Sequence, residues 1–287
     1  VDLDLERFFD TVSHCKLIEI LSRSIKDGRV ISLIHKYLRS GVMNHGVFEM
    51  NEVGTPQGGP LSPLLSNIML NELDKELEHR GHPFVRYADD AMIFCKSKRA
   101  AMRVKVSITR FIESKLHLKV NKEKTVVSYV RGVKYLGYSF YVQKGKCKLT
   151  VHPKSKMKMK ARLKLLTSRS NGWGYAKRKQ KLKEYIRGWI GYYHLAEMRH
   201  LLVKTDEWLR RRIRMCIWKA WKKVKTRVAN LIRCGINKYK AYEWGNTRKS
   251  YWRIADSFIL HRAITKGNLR KAGYATLMGT YIEWHPK

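Results

Sequence analysis

Two adjacent carboxylates, Asp89 and Asp90, stand in Tyr87-Ala88-Asp89-Asp90 between the apolar runs Phe84-Val85 and Ala91-Met92-Ile93-Phe94. Strand-forming flanks around a turn-tolerant acidic pair predict a β-hairpin with the acids at its tip. A third carboxylate lies upstream in Val1-Asp2-Leu3-Asp4-Leu5, where alternation predicts a strand with Asp2 and Asp4 on one face. Paired beside the hairpin, that strand would bring a carboxylate next to Asp89. Clustered acids repel one another unless a divalent cation neutralises them. Mg²⁺ suits such a set, because it takes oxygen ligands and keeps positions open for substrate phosphates. Two such ions about 3.5–4 Å apart would serve an in-line nucleotidyl transfer from a 3′-hydroxyl. Taken alone, an Asp-Asp turn is more often a solvated hairpin tip, so the surrounding elements decide.

Those elements follow from periodicity and breakers. Residues 1–150 read as a strand through Asp4, helices near 13–40, a loop Gly54-Thr55-Pro56-Gln57-Gly58-Gly59-Pro60-Leu61-Ser62-Pro63 leading into a helix, and the acidic hairpin. A helix near 99–116 and strands near 125–142 and 146–151 complete this part. Gln57, with no bulky neighbours, is free to hydrogen-bond a nucleotide or a primer-template strand. Three helical stretches, near 154–167, 175–196 and 200–223, form a bundle. The tail from 224, punctuated by Gly235, Gly245, Gly267, Gly273 and Gly279, reads as short helices. No internal repeat or low-complexity linker is evident.

Charge is partitioned along the chain. The formal net charge is +37. There are 25 basic against 16 acidic residues up to position 150, and 35 against 7 beyond it. The second part is therefore a polyanion-binding surface, since such a density of Lys and Arg needs phosphates to offset its self-repulsion. No apolar run of transmembrane length and no signal-like segment is present, so a membrane partner is not expected. All eight tryptophans fall after residue 150. Trp189 and Trp208 sit in helical patterns and are expected to be buried; Trp173 and Trp252, beside basic residues, are expected to stack on bases or line a groove. The five cysteines have no paired spacing, which favours a reduced cytoplasmic setting. His194, His200 and His261 belong to no ligand cluster.

Asp4-Leu5-Glu6-Arg7-Phe8-Phe9-Asp10, Thr55-Pro56-Gln57-Gly58-Gly59-Pro60-Leu61-Ser62-Pro63-Leu64-Leu65-Ser66-Asn67, Tyr87-Ala88-Asp89-Asp90, Leu118-Lys119-Val120-Asn121-Lys122-Glu123-Lys124-Thr125 and Tyr135-Leu136-Gly137-Tyr138 resemble, in order, the palm motifs of bacterial group II intron reverse transcriptases, or maturases. The resemblance continues through Ser168 to Gly174, Ile186 to Tyr193, Trp208 to Arg214 and Trp218 to Lys222, which look like that family's thumb, or maturase-specific region. Thr247 to Arg253 and Leu269 to Tyr274 look like its basic C-terminal nucleic-acid-binding segment. The implied fold is α+β: a right-hand polymerase palm of antiparallel sheet and packed helices at 1–152, a helical thumb at 153–223, and a small, mostly helical basic segment at 224–287.

By position, the resemblance makes Asp4, Asp89 and Asp90 the metal-binding triad, with the main-chain carbonyl of Leu5 a further ligand, for Mg²⁺ or its substitute Mn²⁺. It places Gln57, Lys124 and either Phe8 or Phe9 near the incoming nucleotide, one of the two phenylalanines screening the sugar 2′-hydroxyl. Asp2 and Asp10 are structural on this reading. Nucleic acid is expected at Arg169, Trp173, Arg187, Arg210, Arg211, Arg212, Arg214, Lys219, Lys222, Arg248, Lys249 and Arg253. The implied partners are group II intron RNA, an RNA template with a DNA primer, a DNA target and deoxynucleoside triphosphates, in a cytoplasmic, nucleoid-associated ribonucleoprotein; homodimerisation is compatible with this. The implied activity is RNA-directed DNA polymerisation together with assistance to intron splicing and mobility. Competing readings are a non-catalytic RNA-binding splicing cofactor and another prokaryotic reverse transcriptase serving defence or sequence diversification.

The family's fingers region precedes the first motif, so on this resemblance it lies outside the chain, which without an initiator Met reads as a fragment of a longer protein. No Cys- and His-rich endonuclease module is recognised, and DNA cleavage is not expected. Phe258 stands where relatives often have proline, which would alter a turn and not the chemistry.

Overall fold

The computed structural model describes every residue except 45–46, 50–52, 56–58 and 286–287. It divides into two compact units, Val1–Val133 and Lys134–Lys287, each with its own core.

In the first unit the elements run β1 (Asp2–Leu3), α1 (Phe8–Thr11), α2 (His14–Ser24), α3 (Gly28–Arg39), β2 (Val42–Asn44), β3 (Val47–Glu49), α4 (Ser62–His79), β4 (Phe84–Tyr87), β5 (Asp90–Ile93) and α5 (Lys98–Lys115). Polar side chains start the helices where the sequence changes period. Ser13 caps α2, Asp27 caps α3 by accepting from Arg29 N at 2.8 Å, and Ser97 caps α5 by accepting from Ala100 N at 3.2 Å. The sheet order is β1-β5-β4, all antiparallel. Its core joins Leu3, Leu5 and Phe8 to Leu65, Met69, Leu73 and Leu77, a stripe of every-fourth residues on α4, and to Ile108 and Ile112 of α5.

The β2–β3 hairpin is absent from the sequence reading, because its residues alternate too weakly to announce strands. Conversely, the strand expected from 125 does not extend. Val126 makes a single bridge to Asp2, and Val130–Gly132 is a 3₁₀ turn. β1 is only two residues long and its other edge is taken by β5, so the β-branched Val126-Val127 pair finds little partner to lengthen against.

The second unit opens with the sheet β6 (Lys134–Tyr135), β7 (Tyr138–Gln143), β8 (Lys146–Val151). Leu136 and Gly137, with φ of 49° and 82°, make the tight β6–β7 turn. Helices follow: α6 (Pro153–Leu166), α7 (Tyr175–Tyr193), α8 (Arg199–Ala220), α9 (Val224–Arg233), α10 (Lys238–Gly245), α11 (Tyr251–Ile254), α12 (Phe258–Ala263), α13 (Lys266–Lys271) and α14 (Leu277–Trp284). The alternating Lys-Met-Lys-Met run lies within α6, in the stretch expected to be helical: Pro153 sits in its first turn and Met159 is fully buried. Val151 of β8 belongs to the same core as α6, α7, α8 and the tail helices, so the strands at 134–151 fold with the helices that follow them.

Polar anchors tie this unit together. Asp206, buried on α8, accepts hydrogen bonds from Leu277 N at 2.8 Å and Met278 N at 3.0 Å, satisfying the start of α14. Burial raises its carboxyl above the ordinary range, and the two N–H donors oppose that. Tyr274 is buried as well, its hydroxyl without a partner among the described residues. Burial pushes that phenol up to about 12. A phenol raised in the folded state stabilises the fold fully below its ordinary value near 10, and that stabilisation is lost as pH rises toward 12. Tyr274→Phe is therefore expected to leave stability at neutral pH unchanged or improved and to flatten its decline between pH 10 and 12, as read by denaturant titrations across that range.

Candidate active site and basic surface

The register of the first sheet gathers the predicted carboxylates at one end. Asp2 pairs with Met92 and Leu3 with Ala91, so Asp4 follows β1 at the end where Asp90 begins β5. Tyr87 pairs with Asp90, which leaves Ala88 and Asp89 as the two-residue tip of the hairpin. Asp4 is also held from the other side: its N donates to Thr125 Oγ1 at 3.2 Å, and its carbonyl accepts from Asn121 N at 2.9 Å and Thr125 Oγ1 at 3.3 Å. Thr125 is buried, so the Lys119–Thr125 motif acts as the clamp on the Asp4 backbone. The Asp4 side chain remains about one-third exposed, with the Lys124 ammonium 3.7 Å from its Oδ1. The Leu5 side chain is buried, so only its main chain can contribute to a site. Asp2 carries the backbone bridge to Val126, and Asp10 is exposed.

Among the described residues no three Asp, Glu, His or Cys side chains converge closely enough to hold a metal by themselves. What the sheet presents is an oxygen-donor edge already attracting one cation, the Lys124 ammonium. That donor set fits a hard, oxygen-seeking divalent ion whose remaining positions go to water and substrate phosphates.

The two phenylalanines separate. Phe8 is buried in the core, whereas Phe9 is half-buried with its ring edge-on to Phe8 at 5.4 Å. The chain at Gly54-Thr55 lies against this turn: Gly54 N donates to Val12 O at 2.8 Å, Thr55 N to Phe9 O at 2.6 Å, and His14 Nε2 meets Gly54 O at 2.6 Å. Gly54 has φ of 95°, and a Cβ there would lie 2.8 Å from Phe9 O, so only glycine permits the contact. Gln57 lies outside the described residues.

Sequence reading gives Arg86 no role, yet it is the most connected side chain near the hairpin tip. On β4, Phe84 and Arg86 face inward and Val85 and Tyr87 outward, so alternation places a cation on the core side. It is held there by Asp74 and Asn67 of α4. A charged residue in an inward strand position was the available signal.

In the second unit the expected nucleic-acid residues divide in two. Arg214 is buried and donates to Ile264 O at 2.9 Å, and burial lowers its guanidinium below the ordinary value. Arg212 donates to Thr167 Oγ1 at 2.6 Å and to the carbonyls of Lys164 and Thr167. Both tie helices together, and the burial of Arg214 corrects the expectation that it faces phosphates: a long basic side chain on an otherwise basic helix was read as exposed, and α8 buries it, while Arg212 stays half-buried. Lys219 is partly committed too, donating to Arg169 O at 2.6 Å.

Arg211 is half-buried as well, stacking on Trp252 at 3.9 Å, pairing with Asp256 at 2.9 Å and donating to Trp252 O at 3.2 Å. Arg169 is exposed and lies over Tyr251 at 5.4 Å. Arg248, Lys249 and Arg253 are exposed beside them in sequence, as are Arg187 and Lys222 elsewhere; Arg210 is half-buried. Trp173 is half-buried, with Lys177 Nζ 5.5 Å from its ring centre. Trp189 and Trp208 are half-buried against the core, while the deeply buried tryptophans are Trp218, Trp221 and Trp244. No helix among the described residues is long and apolar enough to cross a membrane.

Comparison with known proteins gives this geometry a family. The model of the reverse transcriptase (RNA-dependent DNA polymerase) family matches residues 1–140, and that of the group II intron maturase-specific domain matches residues 156–235. Protein YkfC of Escherichia coli K12 is 31% identical over 173 residues, covering 48% of this chain and 45% of that protein. The group II intron-encoded protein LtrA of Lactococcus lactis is 27% identical over 209 residues, covering 50% and 35%. The retron Ec86 reverse transcriptase of Escherichia coli is 28% identical over 132 residues, covering 45% and 38%. The chain thus spans less than half the length of these relatives. A polymerase-type match is common to both kinds of element, whereas the maturase-specific match beyond it is the mark of an intron protein. The chain belongs to the group II intron reverse transcriptase and maturase family.

Proposed function

We propose that the first unit carries the catalytic carboxylates of an RNA-directed DNA polymerase and that the second binds intron RNA, assisting its folding for splicing and mobility. The observation that supports the polymerase reading is the strand register, which ends β1 just before Asp4 beside the end of β5 that Asp90 begins and the Ala88-Asp89 tip precedes. Asp4, Asp89, Asp90 and the Leu5 carbonyl would hold Mg²⁺, with Mn²⁺ able to substitute. When bound, the ions activate the primer 3′-hydroxyl and neutralise charge on the leaving pyrophosphate. The chain's own residues do the positioning: Thr125 and Asn121 fix the Asp4 backbone, and Lys124 supplies positive charge beside the triphosphate. Exposed Arg169, Arg248, Lys249 and Arg253, with Trp252, supply phosphate contacts and a stacking face in the second unit.

Half-buried Phe9, not core Phe8, is the side chain available to meet the nucleotide sugar. Phe9→Val is expected to relax discrimination against ribonucleotides in single-nucleotide incorporation. Phe8→Ala is expected instead to cost stability, about 3–5 kcal/mol by denaturant titration. Retained sugar discrimination in Phe9→Val would place the gate elsewhere.

The test of the proposal is extension of a DNA primer on an RNA template with deoxynucleotides and Mg²⁺. Template-directed DNA products are expected. Tight intron RNA binding without synthesis would move the reading to a splicing cofactor with a disused polymerase centre.

A further inference from the structure

The tip of the acidic hairpin is under backbone constraint. Ala88 has φ of 54°, a left-handed conformation that costs a residue with a Cβ about 1–3 kcal/mol unless its surroundings hold it there. The residues holding it are visible. Arg86 Nη1 donates to Ala88 O at 2.9 Å and to Asn67 Oδ1 at 3.0 Å. Its Nε donates to Asp74 Oδ1 at 2.7 Å, and its Nη2 donates to Asp74 Oδ2. The fork-to-fork pair leaves the guanidinium plane one orientation, and both side chains are mostly buried, at 12% and 19% exposure. Asn67 and Asp74 are seven residues apart on α4 and so share one helix face. That helix is anchored in the core by Leu65, Met69, Leu70 and Leu73. The path from the rigid core to the acidic tip is therefore α4, then Asp74 and Asn67, then Arg86, then the Ala88 carbonyl.

We propose that Arg86 is a positioning residue which, braced by Asp74 and Asn67, holds the Ala88 turn in its left-handed form and so aims Asp89 and Asp90. The inference rests on the reading of Asp89 and Asp90 as metal ligands, but the brace itself does not. A simple core ion pair would need only Asp74. The additional bonds to Asn67 and to the Ala88 carbonyl are what a turn-setting role requires. Lysine cannot replace it, because one ammonium cannot serve the Asp74 carboxylate with two parallel bonds and also reach Ala88.

The test uses the whole chain and its Arg86→Lys, Asn67→Ala and Asp89→Asn variants. Amide hydrogen exchange is read on peptides covering 86–91 and, as reference, 65–77, and Mn²⁺ affinity is read by electron paramagnetic resonance. Arg86→Lys is expected to speed exchange at 86–91 while leaving 65–77 as in the parent, and to weaken Mn²⁺ binding about tenfold. Asn67→Ala, which removes one brace from an intact helix, is expected to do the same to a smaller extent. Unchanged exchange at 86–91 in both variants overturns the proposal, as does equal acceleration of both peptides, which would make Arg86 a plain stability residue. If Asp89→Asn binds Mn²⁺ like the parent, the metal reading fails, and the exchange data alone then decide the brace.

Discussion

Asp89→Asn is expected to abolish metal-dependent DNA synthesis while leaving affinity for intron RNA nearly unchanged. The substitution keeps the size and hydrogen-bonding capacity of a half-buried side chain in a two-residue turn outside the core, so the fold has little reason to respond. It removes the negative charge that a divalent ion requires. Ligand loss forfeits several kcal/mol of charge stabilisation in the transition state. At about 1.4 kcal/mol per decade of rate, this predicts a loss of about a thousandfold or more. On the proposed function RNA affinity resides elsewhere, on a unit with its own core and a large positive excess. Primer extension and filter binding on one preparation distinguish the outcomes. Equal loss of both activities would contradict the assignment of chemistry and RNA binding to separate surfaces.

The second large effect concerns that basic surface. Substituting Arg248, Lys249 and Arg253 together with glutamine is expected to weaken RNA binding at low salt and flatten its salt dependence. Each lost phosphate contact lowers the slope by about 0.7–0.9, so three predict a change of about 2–3. The choice of residues is structural. Arg212 and Arg214 spend their donors on carbonyls and on Thr167, so changing them would lower stability and confound the binding measurement. An unchanged slope in a folded triple variant would remove the 247–253 segment from the RNA interface.

Much of the acidic sheet edge was legible because its signals are local. Alternation around Asp4 and around Asp89-Asp90 specifies strands, and pairing those strands brings the acids to one end. The helices near 13–40 and 99–116 were legible from period and breakers, whereas their caps at Ser13, Asp27 and Ser97 come from the structure. What escaped was tertiary. Arg86 looks like an ordinary strand arginine until α4 is packed against it, and the burial of Arg214 and the carbonyl bonds of Arg212 depend on which face of α8 meets α6 and the 264 turn. The strand expected from 125 failed because β propensity needs a partner long enough to pair with. The assignment of strands 134–151 to the helical unit follows from Val151 and Tyr138 sharing its core, which no local pattern announces.

The proposed function requires a divalent ion among Asp4, the Leu5 carbonyl, Asp89 and Asp90 when template and primer are bound. Loading the protein, bound to an RNA template and DNA primer, with Fe²⁺ in place of Mg²⁺ and adding ascorbate and peroxide generates hydroxyl radicals at the ion, which cut the nearest backbone. The account predicts cleavage at residues 4–5 and 88–90, suppressed by excess Mg²⁺ and by Asp89→Asn. Cleavage confined to other segments, or unaffected by Asp89→Asn, would contradict it.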